Sequence, residues 1–456
     1  MYAPSPAPPD AALPAPSPPD TPLKLTGSIA ALATLAAWDV AVSGNRVVVI
    51  DDGFVSASAV DATTGKPAWR TQIETVVRGR HTLHPNGATV LEWAGDSIHV
   101  LDAASGTLSS TSPAAFNGTN FHDGGCGLDI SDGVCAQRCQ CSFQLLDCST
   151  GKPSGTRYEH VYIERTNPGG SRSAGCYGIT DNILGRAGQL AIVATEDHRA
   201  SGTSRGPHIA AAIDRKTGAE AWRAFDGVVQ ATESGVSPDG TTCWLSTFEN
   251  KLRVVDCAHG SALWSTNPAR DPKLHAVAFA PPSGLYVVRD REATLFDART
   301  GKVRWRVMLP TSTFGWLPGV HHLDRYDVSA IAVLDPATGK TLASVARPNG
   351  GGAISDRAGG FVVVGHEVVR YDAVGTAVAR APFDHAGVQF GDELAVIRST
   401  TTEAIVVERT TLRERGRISG AYDRAFVEGE LGKRRIAVFT YDGKTIGRVT
   451  LLRVAP

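Results

Sequence analysis

This sequence lacks an excess of charge of either sign. Its 45 Lys and Arg face 46 Asp and Glu, for a formal charge of −1. No net basic field favours nucleic acid, and no cluster of like charges forms a polybasic membrane anchor. Long hydrophobic runs are missing too. The most apolar early stretch, Leu23 to Ala37, is shorter than the roughly 20 residues a membrane-spanning helix needs. No basic segment followed by an apolar core precedes it, so either a presequence was removed or the protein is not exported by that route. The common catalytic signatures are absent: no Gly-x-Ser-x-Gly elbow, no His-Glu-x-x-His, no complete phosphate loop. The fragments ending at Lys152 and Lys302 lie in hairpins that precede strands. His321 and His322 stand near Asp324 and Asp327, but adjacent histidines on a strand point to opposite faces. No catalytic residue, metal site or cofactor is therefore assigned.

What the sequence has is repetition. Asp297, Gly301 and Trp305 recur at the same offsets as Asp61, Gly65 and Trp69, as Asp214, Gly218 and Trp222, and as Asp256, Gly260 and Trp264. Asp102 with Gly106, Asp147 with Gly151 and Asp335 with Gly339 keep the turn and lose the Trp, and Asp372 with Gly375 is a shortened copy. A short connection between antiparallel strands needs one positive φ, which Gly adopts without steric cost. Asp at the start of the turn accepts hydrogen bonds from N–H groups two or three residues on. The residues before it are apolar and β-branched, as in Leu252 to Val255 and Ile331 to Leu334. A Trp at constant offset reads as packing glue between neighbouring units.

The spacing gives the architecture. Successive Asp positions lie 41, 45, 67, 42, 41, 38 and 37 residues apart. A period near 40 with about four short strands per unit is that of a β-propeller blade. The hairpin seen at Phe296–Trp305 and Val255–Trp264 resembles the repeat of the quinoprotein (PQQ-like) β-propellers, and the resemblance runs from about residue 24 to the end. It implies an all-β, single closed propeller of four-stranded antiparallel blades. Nine Asp-type hairpins, the last a worn version at Glu408, plus a composite unit make ten units, with eight as the fallback. The final unit offers three strands near 421–427, 435–440 and 445–452, so part of residues 23–35 is expected to complete it, because closure removes free sheet edges. Residues 1–22, rich in Pro and Ala, read as a semi-rigid tether or as a tail with no role. The propeller then spans residues 23–456.

The resembled family includes quinone-dependent dehydrogenases and non-enzymatic members such as the outer-membrane assembly lipoprotein. Its dehydrogenases are much longer and carry adjacent cysteines near the cofactor and a calcium-binding Glu, Asn and Asp set. No Cys-Cys dipeptide occurs here. The resemblance thus implies the fold and argues against carrying over the redox activity.

The eight cysteines suggest an oxidising compartment. Cys135 with Cys148, and Cys243 with Cys257, sit at matching places in two blades, each mate on the strand before, and read as cross-strand disulfides. Cys126, Cys139, Cys141 and Cys176 form two further bridges or a four-thiolate zinc site, although Cys-x-Cys is not the usual knuckle spacing. Free buried thiols in a cytosolic chain are the other alternative.

Two inserts, at about 157–180 and 196–208, fall on the face opposite the Asp-Gly turns. Long loops gathered on one face are where repeat folds place binding, and surface insertions are also tolerated without a role. His198, Arg199, Arg205 and His208 form the candidate binding patch. The expected protein is a monomeric, non-enzymatic propeller outside the cytoplasm, without a transmembrane segment or nucleic-acid partner, held near an envelope by its N-terminal segment. It would present its loop face to protein or envelope partners. The rivals are a quinone or small-ligand enzyme using the central channel, and a cytosolic interaction propeller.

Overall fold

The structure is a computed structural model that describes residues 23–50, 56–73, 81–94, 97–114, 127–131, 133–139, 142–159, 162–166, 172–176, 182–196, 208–224, 234–247, 251–266, 274–290, 292–308, 315–317, 322–324, 330–346, 352–356, 360–365, 367–382, 387–400, 403–420, 424–440 and 447–456. Among these residues, ten antiparallel sheets of four or more strands follow one another along the chain. Blades one to five span residues 40–72, 81–113, 127–159, 182–224 and 235–265. Blades six to ten span 274–308, 315–346, 352–381, 387–419 and 424–454. The count is ten, and the fallback of eight falls away.

Each blade is an up-and-down meander whose strands carry Val, Ile, Leu and Ala on both faces, so each sheet is greasy on two sides and must be covered twice. Hydrophobic clusters join consecutive blades all the way round. Leu101 of blade two packs with Val48 of blade one, and Val287 of blade six with Val254 of blade five. The series returns to its start: Phe439, Val449 and Leu451 of blade ten pack with Val40, Val47 and Val49 of blade one.

Blade ten is completed from the other end of the chain. Ile29–Ala37 pairs antiparallel with Gly447–Val454 as the outer strand. Part of the expected stretch 23–35 thus completes the last blade, and the strand runs two residues further, to Ala37. Lys24–Leu25 instead pairs with the outer strand of blade nine, giving that sheet a fifth strand. Gly27 makes the step between blades: it sits at φ 69, and a Cβ there would lie 2.4 Å from the Arg415 carbonyl. Only glycine fits that crossing.

The Asp turns behave as their composition demands. Asp297 Oδ1 accepts from Thr300 N at 2.9 Å and from Thr300 Oγ1 at 2.8 Å. Gly301 N donates to the Asp297 carbonyl at 2.9 Å with φ at 69°. The glycine has a second duty that the turn alone does not explain. A Cβ on Gly301 would sit 2.7 Å from the Trp264 ring, and one on Gly339 would sit 2.5 Å from Trp305. Each Trp lies flat over the Asp-Gly turn of the next blade, and its indole N–H donates to that turn. Trp69 bonds the Ala103 carbonyl at 2.9 Å, Trp222 the Cys257 carbonyl at 2.8 Å, Trp264 the Ala298 carbonyl at 2.9 Å and Trp305 the Pro336 carbonyl at 3.0 Å. Tryptophan suits this place because it buries a large apolar face and still satisfies its single donor.

Two disulfides lie inside the blades. Cys135 joins Cys148, and Cys243 joins Cys257, with Cα separations of 5.4 and 5.2 Å. Cys148 and Cys257 lie just past the third strand, in the Asp turn itself. Cys126 and Cys141 lie outside the described residues, as do the side chains of Cys139 and Cys176.

Candidate functional site

In a four-stranded meander the connections alternate between two faces, and here the faces differ sharply. One carries the Asp turns together with the turns between first and second strands, such as Gly44-Asn45 and Gly87-Ala88. The other carries the connections from second to third strand and from blade to blade. The longest of these leads into blade four, and another long one lies within that blade. Residues 160–181 link blades three and four, and residues 197–207 link the middle strands of blade four. The first link is not simply a loop. Tyr162–Thr166 and Arg172–Cys176 pair antiparallel as a separate two-stranded sheet, and residues 157–159 belong to the outer strand of blade three. The Tyr-Ile start and the Thr at the end of its first arm supply the β propensity.

Of the candidate patch, His198, Arg199 and Arg205 lie outside the described residues. His208 opens the third strand of blade four, opposite Glu196. The Pro-rich segment 1–22, His321 and Asp327 also lie outside the described residues. His322 and Asp324 are the ends of one short strand of blade seven. Among the described residues no group of three or more His, Cys, Asp or Glu is arranged to hold a metal ion. No helix there is long and apolar enough to cross a membrane.

The structure also assembles polar groups that the sequence does not announce. Asp39, at the inner edge of blade one, accepts from the backbone N–H of Leu83 in blade two at 2.8 Å and from Arg424 Nη2 in blade ten at 2.5 Å. The Arg424 guanidinium lies 4.9 Å from the Phe439 ring centre. His84 stands in the same field, its Nε2 at 2.9 Å from Thr82 Oγ1. Burial holds its pKa below 6.5, with Arg424 helping and Asp39 and Asp129 opposing. It is therefore neutral at pH 7. Asp39 and Arg424 lie 385 residues apart, so no local pattern could pair them. The carboxylate is engaged by two donors and acts as a clamp across three inner strands.

A second cluster lies between blades eight and nine. Asp356 is fully buried and accepts from Arg370 Nε at 3.1 Å and from Arg409 Nη2. Arg409 Nη1 also donates to the Gly391 carbonyl at 2.8 Å. A third buried acid, Glu428, accepts from the backbone N–H groups of Glu393 at 2.6 Å, Leu394 at 2.9 Å and Arg434 at 2.6 Å. These groups tie blade to blade.

With that geometry in place, comparison with known proteins decides the family. The profile described as outer membrane protein assembly factor BamB matches residues 24–111 and 206–381, more than half of the chain. The chain belongs to that family. Among solved structures, it is similar to a eukaryotic initiation factor at 8% identity, covering 87% of this chain and 91% of that one, with a TM-score of 0.51. BamB from Moraxella catarrhalis aligns over 94% of this chain and 100% of its own at 12% identity and a TM-score of 0.35. A europium-containing methanol dehydrogenase aligns over 93% of each chain at 12% identity and a TM-score of 0.38. No curated protein matches.

The Asp-turn face has a defined acid response. Hydrogen bonding from Arg304, ahead of opposing desolvation, brings Asp297 down to about 2 from 3.8. The Ser105 hydroxyl and N–H lower Asp102, and the turn bonds of Thr217 and Thr338 lower Asp214 and Asp335. Because the folded pKa values lie below the unfolded one, their stabilisation is present above about pH 4 and lost as pH falls through the folded values. The urea midpoint is expected to drop between about pH 4 and pH 2, and Arg304→Gln should shrink that drop. An unchanged midpoint down to pH 2 would remove these carboxylates from the account.

Proposed function

We propose that this protein is a non-enzymatic propeller scaffold outside the cytoplasm. It offers the face opposite its Asp turns, around blades three and four, to a protein partner of the cell envelope. The observation that carries the reading is the contrast between faces: short turns closed by their own Asp side chains on one, and on the other a two-stranded hairpin leading into blade four and an 11-residue connection within it. The family's description as an outer-membrane assembly factor supports a protein partner. Two disulfides support an oxidising compartment. The Pro-rich residues 1–22 serve as a tether in this reading.

A photo-crosslinking amino acid placed at Arg165 or Arg199 should yield adducts with outer-membrane assembly components in intact cells. The same probe at Thr63 or Arg299, on the Asp-turn face, should yield none. Adducts from the turn face alone would reverse the reading. Stabilisation of the purified protein by several degrees with quinone and calcium would replace it with a channel enzyme.

A further inference from the structure

On the Asp-turn face the ring has one seam, where the first strands of the propeller meet its last: Ala455 N donates to the Ser28 carbonyl at 2.8 Å. Blade ten has no Asp turn there, and the register shows what stands in its place. In blade one, Arg46 opens the second strand directly opposite Asp61, and the two form an ion pair at 2.6 Å. Thr242 faces Asp256 and Leu394 faces Glu408 at the same position. The next residue repeats one backbone bond in each case: Ala62 N to the Asn45 carbonyl in blade one, Val454 N to the Arg434 carbonyl in blade ten. By that bond, Arg453 occupies the acid's position. Its cross-strand partner is Arg435.

Two like charges directly opposite on a sheet destabilise it. Arg435 is partly relieved by donating to the Ala62 and Thr63 carbonyls at 3.2 and 3.0 Å. Burial and then the Arg453 charge lower its pKa. The guanidinium of Arg453 has no hydrogen bond or ion pair among the described residues. Lys433 and Arg434 complete the cationic wall of a cavity of about 500 Å³, which Pro456 also lines and whose one acidic side chain is Glu393. That acid is already held by Lys433 at 3.1 Å and Arg434 at 3.5 Å.

We infer that this seam pocket binds a phosphate-type dianion, as free phosphate or as the phosphoryl group of a monoester, with Arg453 and Arg435 gripping its oxygens. The planar forks of two guanidinium groups match such an oxyanion. A bound dianion would do for blade ten what Asp61 does for blade one: convert a cross-strand repulsion into a bridge and pin the ring where its two ends join. The pocket lies on the face away from the partner surface proposed above, so the two readings fail independently.

The test is thermal unfolding of the full chain in chloride buffer, with inorganic phosphate, glycerol phosphate or malonate added at constant ionic strength. Phosphate and glycerol phosphate should each raise the midpoint by roughly 2 °C or more near saturation. Arg453→Gln should abolish that rise. Arg453→Glu, which restores the acid found in other blades, should abolish it and raise the phosphate-free midpoint. Lys433→Gln, at an exposed position, gives a second variant in which the rise should shrink. No rise in the wild type, an equal rise with malonate, or a full rise in Arg453→Glu would each overturn the assignment.

Discussion

Replacing Trp305 with alanine is expected to lower the unfolding free energy by about 3–5 kcal/mol, the range for truncating a buried aromatic. Trp305 is 8% exposed and its ring centre lies 5.6 Å from that of Tyr286. It covers Gly339 of blade seven and holds the Pro336 carbonyl. Alanine would leave a cavity between blades six and seven and an unanswered carbonyl in the turn. Trp305→Phe keeps most of the apolar face and loses the bond, so it should cost about 1–3 kcal/mol. Urea titration of the three proteins measures both. A loss below 1 kcal/mol for the alanine variant would mean that the indole does not hold this interface.

Asp356→Ala should be comparably severe, at about 3–5 kcal/mol, because it strands two arginines in a dry interface. Arg370 and Arg409 both donate to that carboxylate, and their side chains are 14% and 10% exposed. Combining Asp356→Ala with Arg409→Met removes one of the two uncompensated charges, the more buried one. The double variant should therefore be more stable than the sum of the single losses predicts, by roughly 0.5–3 kcal/mol. Additive losses would show that the two groups do not act as one unit.

The legible part of the fold was the part written in short range. A turn needs its positive φ and its capping carboxylate within five residues, so Asp297 and Gly301 are visible as a pair. A period of about forty residues then fixes a blade. The outer strand of blade ten was legible for a related reason: the last unit visibly had three strands, and an open edge demands a fourth. Its boundary was not, because the Ala-rich stretch Ile29–Ala37 carries little strand preference. Packing against Val449 and Leu451 decides it.

Blade nine shows how the repeat bends to its neighbours. The position held by Gly elsewhere is Leu412, at φ 54 and 3% exposed. Blade eight has no Trp to lay over that turn, and the leucine packs there with Val364 and Ala381. In sequence this looked like wear; in the structure it is a substitution of one filler for another.

By itself, then, the sequence specified the module, its turn chemistry and the facing positions of the two cross-strand cysteine pairs, since all are set by residues within one hairpin; it counted ten units but left eight open. Tertiary structure decided what glycine at the turn accommodates, which carboxylates clamp adjacent blades, and where the seam leaves Arg453 facing Arg435. Those depend on residues from different blades meeting side by side. The distance along the chain between such residues is set by ring closure, and no local pattern records it.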